Sequence, residues 1–580
     1  MVKLRELIEA ALGKRRFSVF FKNVNLVNVY TGEVYRSNIG VLGDKICYVG
    51  ESSCFEASES VDLKDMFLAP GLIDSHIHVE SSMVIPSRFA EAVLPHGVTT
   101  AVADPHEIAN VLGVEGVKAM IENSRGLNLK LYFWAPTCVP SLPGFEHSGA
   151  EINARDVIEM LRIDGVLGLG EVMDYHGVLN LSERMMDILD VGLTFKVPID
   201  GHAPMLSGKV LNAYLVSGVE ADHEIFTIEE AIEKARLGLW VKVRRHLAES
   251  KDSIATLKNR GMVSRLILAT DDTPPDLLVE RGHLDGIVRS AIENGLDPVE
   301  AIEAATIRPA QRLRLYDRGA IAPGKLADLI LLKSLEKFEI VDVYSNGELT
   351  ARNGKIAVQT YLKSKPFPEW AKKTVKTPDL KAEDFMVGVP IQHGSAYVHI
   401  IEVKGFETYL KEDKLPIENG YLKILNYALA LVVERHGKIG SRAKALIGGL
   451  NMEKGAIAST VAHDSHNMVI LGRSPSDMAK AWKALLEAQG GYVVVLNGKV
   501  IAILKLPVAG LMSEEPIEKV AEEFKKIRRA ERELGLEEDT PIPLISLLTL
   551  PVIPHVRVTD RGLFDVDRGE LIPLIKEVSA

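Results

Sequence analysis

The sequence is poor in cysteine. Only three cysteines, Cys47, Cys54 and Cys138, occur among 580 residues, and no two of them form a CxxC pair. An odd number without paired spacing indicates neither a disulfide framework nor a zinc site built from thiolates. A metal site in this chain would therefore have to use histidine and carboxylate ligands.

Long apolar segments are absent too. No apolar run approaches the roughly 18 residues that a membrane-spanning helix requires. The N-terminal segment MVKLRELIEAALGKRRF is charged throughout, which is typical of a short amphipathic helix and not of a signal peptide with an apolar centre. We therefore expect a cytoplasmic protein that does not contact a membrane.

The chain has no excess of positive charge. Its formal net charge is -11 and its pI is about 5.9, whereas nonspecific binding of nucleic acid requires a basic surface that displaces counterions. A small neutral substrate fits these values better than nucleic acid does. With 47% hydrophobic residues, the chain can bury several cores, so its length predicts roughly three or four domains, fewer if one is a barrel.

Short apolar strands alternate with helical stretches between about Phe67 and Arg318. Eight such units over about 250 residues predict an α/β fold of the (β/α)8 TIM-barrel type, whose active site lies at the C-terminal ends of the strands. The eight strand segments are MFLAPGLIDSHIH, GVTTAVADPHE, KLYFWAPT, GVLGLGEVM, LTFKVPIDGHA, GVEADHE, GLWVKVRR and RLILATDD. Polar residues at their ends are therefore candidates for catalysis.

Two β-rich segments flank the predicted barrel and are each too short for a core of their own. We expect them to pair into one small β-sandwich domain. After about residue 358, a stretch with lysines and prolines is typical of a linker, and the remainder mixes strands and helices as an α+β domain. The predicted division is 1–66 (helix and first half of the β domain), 67–318 (barrel), 319–360 (second half of the β domain) and 361–580 (C-terminal α+β domain).

The first predicted barrel strand ends in PGLIDSHIHVESS. In a strand, successive side chains alternate between faces, so His76, His78 and Glu80 would all project from one side. A strand presents metal ligands in this way. Two histidines one residue apart are equally typical of an ordinary half-buried strand, so the other strand ends have to decide.

Those strand ends carry further imidazoles and carboxylates. Any one of them has a simpler explanation, because a lone histidine is usually a satisfied polar group, and Glu171 or Asp271 could cap a helix. Together they could hold two divalent ions, with Glu171 bridging them. The six candidate ligands are His76, His78, Glu171, His202, His223 and Asp271.

Longer motifs resemble those of the adenine deaminase family of the amidohydrolase superfamily. HxH alone indicates only the superfamily, whereas ADPHEIANV and AHDSHN are more specific. The similar segments are GLIDSHIHVESSM, LPHGVTTAVADPHEIANVLG, GEVM, DGHAPMLSGKVLNAYL, DHE, TDD, AIAPGKLADLILL, VAHDSHN, LPVAGLMS and LPVIPHVRVTDRGLFDV. The resemblance covers nearly the whole chain.

The resemblance implies hydrolysis of adenine to hypoxanthine and ammonia by a metal-bound hydroxide, as in purine salvage. It implies two divalent metal ions, manganese or iron with zinc as an alternative, and we expect a homodimer. Asp271 would take the proton of the attacking water, and Glu107 would protonate a ring nitrogen of adenine. The deaminase fold that uses HxE and PCxxC zinc ligands is excluded, since the chain has no PCxxC.

The segment DPHE has two interpretations. Asp104 as N-cap, Pro105 at the first helical position and Glu107 three residues after the cap would form a capping box without any chemistry. The resemblance instead favours a catalytic Glu107, with Asp104 as an accessory residue. Many relatives bridge their metals with a carbamylated lysine, and Lys196 on the predicted fifth strand is the lysine worth considering for that role, but we prefer Glu171.

The sequence departs from the family pattern in three loops that line the expected pocket. Thr273 and Pro274 follow TDD where a basic Arg-His pair is expected, His176 stands in DYHG in place of Asn-Tyr-Pro-Gly, and His246 lies in the atypical RRHLAES. These changes leave the predicted metal ligands intact. They bear on substrate identity and rate.

Two alternatives remain open. One is another amidohydrolase, a deaminase or an amidase acting on a cyclic amide or an N-acyl group, and the other is a noncatalytic assembly protein that has lost its ligands. The motif AHDSHN is open as well. His463, Asp464 and His466 could form a simple turn, or their loop could cover the barrel mouth and supply substrate contacts or a further metal ligand.

Overall fold

The computed structural model describes residues 3–64, 66–357, 364–405, 407–536 and 545–579. The predicted domain boundary between residues 360 and 361 falls outside these described residues. Within them, no helix combines the length and the apolar character needed to cross a bilayer.

Eight parallel strands form the central barrel, and each pairs with its neighbour in chain order. The ring closes where Asp271 N donates to His76 O over 3.0 Å, beside a parallel bridge between Ile77 and Asp271. The strands are Leu72–Ile77, Val98–Ala103, Lys130–Ala135, Val166–Val172, Ile199–Gly201, Ala221–Asp222, Trp240–Val243 and Leu266–Leu268. The predicted TIM-type barrel is confirmed.

Helices follow most barrel strands, and several begin at polar N-cap residues. Thr227, for example, accepts a bond from the backbone N–H of Glu230 over 3.3 Å, which satisfies a donor that the first helical turn leaves free. The α-helices are Leu4–Ala11, Pro86–Val93, His106–Ser124, Ala154–Leu161, Tyr175–Leu179, Glu183–Phe195, Gly208–Val216, Ile228–Arg236, Arg245–Ala248, Lys251–Asn259, Pro275–Arg281, Leu284–Glu293, Pro298–Ala304, Ile307–Arg312, Pro475–Ala488 and Ile517–Glu533.

The two flanking β-rich segments pair into one nine-stranded sheet. They join where Phe67–Pro70 runs antiparallel to Leu329–Leu332, so the segment predicted as the first barrel strand is divided between this sheet and the barrel. The strands are Phe17–Asn28, Glu33–Leu42, Lys45–Gly50, Ala57–Asp62, Phe67–Pro70, Leu329–Leu332, Ile340–Ser345, Glu348–Arg352 and Lys355–Ile356.

The C-terminal region folds as a ten-stranded sheet with the last two helices and a separate three-stranded sheet. The ten strands are His393–Lys404, Glu407–Glu418, Tyr421–Leu422, Ala428–Val433, Arg442–Gly448, Ala456–Ser459, Met468–Gly472, Gly491–Leu496, Lys499–Lys505 and Ile575–Ser579, and the other three are Val556–Thr559, Gly562–Asp565 and Glu570–Ile572. One buried apolar cluster runs from the barrel into this region. Backbone bonds join them as well, since Ser513 N donates to Met83 O over 2.8 Å and Ile85 N to Ser513 O over 3.1 Å.

Gly71 lies between the strand of the flanking sheet and the first barrel strand, where the chain passes close to Thr99. A Cβ atom at Gly71 would lie 2.6 Å from Thr99 Cγ2. We therefore expect Gly71→Ala to lower the free energy of unfolding by about 1–3 kcal/mol, the usual effect of an overpacked core. The shift in the midpoint of denaturant unfolding measures this effect.

Two variants test the steric cause. Thr99→Ala combined with Gly71→Ala should recover part of the loss, because it removes the clashing atoms. Gly388→Ala is the control, since a Cβ there has nothing within 4 Å. An unchanged midpoint for Gly71→Ala, or no recovery in the double variant, would contradict the prediction.

Candidate metal centre

All six predicted ligands meet at the C-terminal mouth of the barrel, where each is buried. The strands place them there because each ligand lies at or just after a strand end. Two strands are very short, so His202 directly follows Ile199–Gly201 and His223 directly follows Ala221–Asp222. The other four are His76 in the first strand, His78 just after it, Glu171 in the fourth and Asp271 beyond the eighth.

Glu171 lies between two pairs of histidines. Its Oε1 is 3.2 Å from His76 Nε2 and 3.0 Å from His78 Nε2, whereas its Oε2 is 2.7 Å from His202 Nδ1 and 3.3 Å from His223 Nε2. Each oxygen therefore faces a different pair. This is the arrangement that a carboxylate bridging two cations requires.

Asp271 joins the first of these pairs. Its Oδ1 is 3.3 Å from His76 Nε2 and 3.1 Å from His78 Nε2, and its Oδ2 accepts a bond from the guanidinium of Arg244. Burial opposes ionisation of Asp271, but Arg244 and the histidines outweigh it and hold the pKa of this carboxyl well below its usual range. Asp271 is therefore an ionised ligand candidate.

The donor atoms fit two divalent cations. His76 Nε2, Glu171 Oε1 and His202 Nε2 are buried without a hydrogen-bond partner in the described structure, and an unpaired buried polar atom costs about 1–3 kcal/mol. One group of donor atoms within 4.8 Å of one another comprises His76, His78, Glu171 and Asp271, and another comprises Glu171, His202 and His223. Imidazole and carboxylate donors suit manganese, iron and zinc.

The carboxylates around His76 also suit a cation-binding site. Burial lowers the pKa of His76, but the nearby carboxylates of Asp200, Asp271 and Glu171 outweigh it and raise the pKa to about 10. The buried carboxylates therefore need positive charge close to them. A divalent cation can supply that charge and leave the imidazole neutral.

Polar groups behind the ligands orient the first histidine pair. His76 Nδ1 is 3.2 Å from Asp200 Oδ2, and Asp200 is itself bonded to the buried Lys242. His78 Nδ1 lies 3.0 Å from the carbonyl oxygen of Asp104. Both Nε2 atoms are thereby directed toward the centre, as outer groups do in metal sites.

A buried lysine fixes the loops of the second pair. Lys234 Nζ donates to Ala203 O over 2.8 Å and to Glu224 O over 3.1 Å, next to His202 and His223. It also lies 2.8 Å from Asp222 Oδ2. Lys234, Asp200 and Lys242 were not among the predicted site residues, although Asp200 and Asp222 stand just before His202 and His223 in the sequence.

Lys196 lies away from the centre. It is exposed and ends the helix Glu183–Phe195 in a left-handed conformation, with φ of 54°, whereas the fifth strand starts only at Ile199. The prediction that Lys196 lies on this strand was therefore wrong. A proline, Pro198, separates the helix from the strand.

The capping-box interpretation of DPHE was also wrong. The helix His106–Ser124 has Pro105 at its N-cap and no side-chain cap, because Asp104 Oδ2 instead accepts from Glu171 N over 2.8 Å. Glu107 is buried beside the centre, where its Oε1 accepts from Ser81 Oγ over 3.2 Å. Burial raises the pKa of Glu107, although nearby His463 lowers it.

Two residues at the barrel mouth, His106 and Glu80, lie in positions that the strand pattern of the sequence did not predict. His106, which was not a predicted site residue, has its Nδ1 3.5 Å from Asp104 Oδ1 and 3.8 Å from Glu171 Oε1. Glu80 lies in a 3-10 turn after the strand, not on its face, and accepts from Ile108 N over 3.2 Å. Burial and neighbouring Glu107 raise the pKa of Glu80 to about 8.

Of the three loops that depart from the family pattern, the RRH segment contributes a direct contact to a candidate ligand. Arg244, in the RRH segment, pairs with Asp271 and lies 2.8 Å from Glu224 Oε2. His246 Nε2 lies 2.9 Å from the backbone carbonyl oxygen of Ile225. Thr273 is buried, and His176 lies in the short helix Tyr175–Leu179.

The motif AHDSHN lies at the barrel mouth. His463 Nδ1 is 3.9 Å from Glu107 Oε1, and His466 Nε2 is 3.8 Å from Glu107 Oε2. Asp464 Oδ1 is 3.8 Å from His106 Nε2. The loop is therefore part of the site and not a remote turn.

Comparisons with known proteins cover both main regions of the chain. Residues 67–350 match the model of the amidohydrolase family, and residues 406–570 match the model of the adenine deaminase C-terminal domain. The adenine deaminase 2 of Carboxydothermus hydrogenoformans is 39% identical over 581 residues, or 99% of this chain and 100% of that protein.

A second relative is the adenine deaminase of Archaeoglobus fulgidus, 38% identical over 578 residues, which cover 99% of this chain and 98% of that protein. A solved adenosine deaminase from Xanthomonas campestris with bound zinc is 14% identical. It covers 59% of this chain and 95% of its own, with a TM-score of 0.45. The sequence relatives thus extend over the barrel and the C-terminal region together.

His76→Ala and His202→Ala should each lower the bound divalent metal, because each removes a donor from a different side of Glu171. Elemental analysis of the purified variants measures the metal content per chain. His96→Ala is the control, since His96 bonds Asp285 over 3.2 Å, away from the centre. Full metal content in either ligand variant would contradict the assignment.

Asp200→Asn should weaken metal affinity by about 10- to 100-fold while leaving every ligand in place, because it removes the anionic partner of His76 Nδ1. Competition with a chelator gives the affinity. The buried Asp477, which accepts from Gly498 N over 2.7 Å, provides the control Asp477→Asn. Equal affinities for the two variants would show that the Asp200–His76 contact does not tune the site.

Proposed function

The chain belongs to the adenine deaminase family of the amidohydrolase superfamily, and on that premise we propose that Glu107 and Asp271 move the protons when adenine is hydrolysed. The reaction is the deamination of adenine to hypoxanthine and ammonia. The position of Glu171 between two histidine pairs, with buried Glu107 beside them, is the observation that carries the proposal.

Glu171 and the five candidate ligands around it would hold two divalent cations. When bound, such ions lower the pKa of water so that hydroxide is available near neutral pH. His76, His78 and Asp271 lie on one side of Glu171, and His202 and His223 lie on the other. The fixed Nδ1 atoms of His76 and His78 keep their Nε2 donors aimed at the centre.

Asp271 accepts the proton of the attacking water. Arg244 occupies its Oδ2, so the oxygen that faces the histidines, Oδ1, is the one available for this proton. The water oxygen bonds to C6 of adenine, and the proton then passes from Asp271 to the amino nitrogen. The C6–N bond breaks and ammonia leaves.

Glu107 supplies the proton that the purine ring needs. Burial in the mouth favours its neutral carboxylic acid, which can donate to a ring nitrogen as water attacks C6 and so prevent negative charge from accumulating. The proton lost from the new C6 hydroxyl group restores the acid. Hypoxanthine then keeps the proton on its ring nitrogen.

The noncatalytic alternative predicts that ligands are missing. All six candidate ligands are present, buried and turned toward one another, which supports catalysis. Another amidohydrolase reaction would use the same ligands, but the relatives that align over the whole chain carry the name adenine deaminase.

Three finer expectations stay predictions. The ions are manganese or iron, with zinc as the alternative, since the ligand chemistry accommodates all three. The protein forms a homodimer. It acts in the cytoplasm on adenine in purine salvage.

Glu107→Gln should lower kcat by about 10²- to 10⁴-fold, because glutamine keeps the size of the side chain but has no acidic proton to transfer. Metal content and thermal stability should change little. Ammonia release from adenine by the metal-loaded protein measures the rate.

Glu531→Gln is the matched control. Glu531 is also buried, and burial raises its pKa well above the usual range, but it lies in the helix Ile517–Glu533. Its variant should keep the wild-type rate. Comparable rates for Glu107→Gln and Glu531→Gln would remove Glu107 from the mechanism.

A further inference from the structure

The loop 462–467, hereafter the C-terminal loop, brings two imidazoles to the two oxygens of one carboxyl group. His463 approaches Glu107 Oε1 at 3.9 Å, and His466 approaches Oε2 at 3.8 Å. Oε1 also accepts from Ser81 Oγ, whereas Oε2 faces His466. The two oxygens therefore have different surroundings.

The protonation of the His466 ring follows from its backbone neighbour. The N–H of Ala462 donates to His466 Nδ1 over 3.2 Å, so Nδ1 is an acceptor and carries no hydrogen. In a neutral imidazole the hydrogen then resides on Nε2. The atom that faces Glu107 is therefore a donor.

Other contacts keep His466 neutral. It is fully buried, and burial together with the nearby cations of His463 and Arg435 holds the pKa of His466 well below its usual range. Its Nε2 has no hydrogen-bond partner in the described structure. A buried N–H donor without a partner, aimed at a carboxyl oxygen, indicates a contact that closes in another state of the site.

Arg435 fixes the backbone of this loop. Its guanidinium is fully buried and donates to His466 O, to Thr374 Oγ1 over 3.0 Å and to Ala509 O over 2.8 Å. The neighbouring His436 has its Nε2 3.0 Å from Ser465 O. Gly510 permits the arrangement, because a Cβ there would lie 2.7 Å from the guanidinium.

The loop is also tied to the barrel. Asn467 Nδ2 donates to His147 O over 2.9 Å, and His147 Nδ1 lies 2.6 Å from Asp560 Oδ2. His147 belongs to a barrel loop, whereas Asp560 follows the strand Val556–Thr559. The distance between His466 and Glu107 is therefore set by bonds on both sides.

We propose that His466 is a positioning residue for Glu107, with its Nε2–H holding Oε2 so that Oε1 is the oxygen that presents a proton to the substrate. Arg435 in turn holds His466. This inference rests on the proposed role of Glu107 as the acid. A movement of about 1 Å brings the pair within hydrogen-bond distance, and such contacts commonly tighten when substrate binds.

A third cation at this place fits less well. The donor atoms of Glu107, His463 and His466 lie within 4.8 Å of one another. However, Nδ1 of His466 is already engaged as an acceptor, and its protonated Nε2 has no lone pair for a metal. The C-terminal loop therefore acts on Glu107 through a hydrogen bond.

The test is a pair of variants at His466. Asparagine tolerates the left-handed backbone of this position, whose φ is 49°, and its Oδ1 can accept from Ala462 N–H, but it does not reach Glu107. Glutamine extends an N–H donor to the place of Nε2. His466→Asn should lower kcat by about 10²-fold with unchanged KM and metal content, and His466→Gln should recover most of the rate.

A double-variant cycle tests whether His466 acts through Glu107. His466→Asn should not slow Glu107→Gln further, because the acid that it positions is already absent. An equal slowing in both backgrounds would overturn the inference. So would a wild-type rate for His466→Asn, or a loss of metal together with the rate.

A control variant and the pattern of rates distinguish a failure of the positioning role from a failure of the proposed acid. His399→Asn changes another buried histidine of the C-terminal region, whose Nδ1 lies 2.6 Å from Pro573 O, and should keep full activity. If Glu107→Gln is slow but His466→Asn is not, only the positioning role fails. If Glu107→Gln itself retains the wild-type rate, the proposed acid fails first.

Discussion

The active site depends on one buried carboxylate. Glu171 is buried and faces four imidazoles at the barrel mouth, and each of its oxygens faces a different pair. Burial alone would favour its neutral form, yet His223 and His202 outweigh this and hold the pKa of Glu171 well below its usual range. The remaining ligands are arranged around a fixed negative charge that water cannot screen.

Such a concentration of charge requires support from the barrel. Asp200 and Lys242 lie behind His76, and Lys234 joins the backbones beside His202 and His223. These buried ions are paired and bonded, which offsets the cost of removing them from water. The barrel is thus a rigid frame whose interior polar groups aim the ligands.

The C-terminal domain completes this frame. It shares a continuous apolar core with the barrel, and its loop places His463 and His466 against Glu107. Barrel enzymes usually vary their chemistry through the loops that follow their own strands. Here a loop almost 200 residues beyond the last barrel strand lies at the same mouth. The site is therefore complete only when the barrel and the C-terminal region are folded together.

The sequence by itself determined the barrel and the candidate ligands, because alternating strands and strand-end residues are local patterns: the positions of His76, His78, Glu171, His202, His223 and Asp271 at or after the strand ends follow from their segments. It also indicated AHDSHN as unusual. The surroundings of these residues were decided only by the tertiary structure. Asp104 bonds Glu171 and caps no helix, Lys196 lies outside the fifth strand, and Arg244 reaches Asp271. Such contacts join segments far apart in the chain, and burial decides which polar groups must pair, which no local pattern encodes.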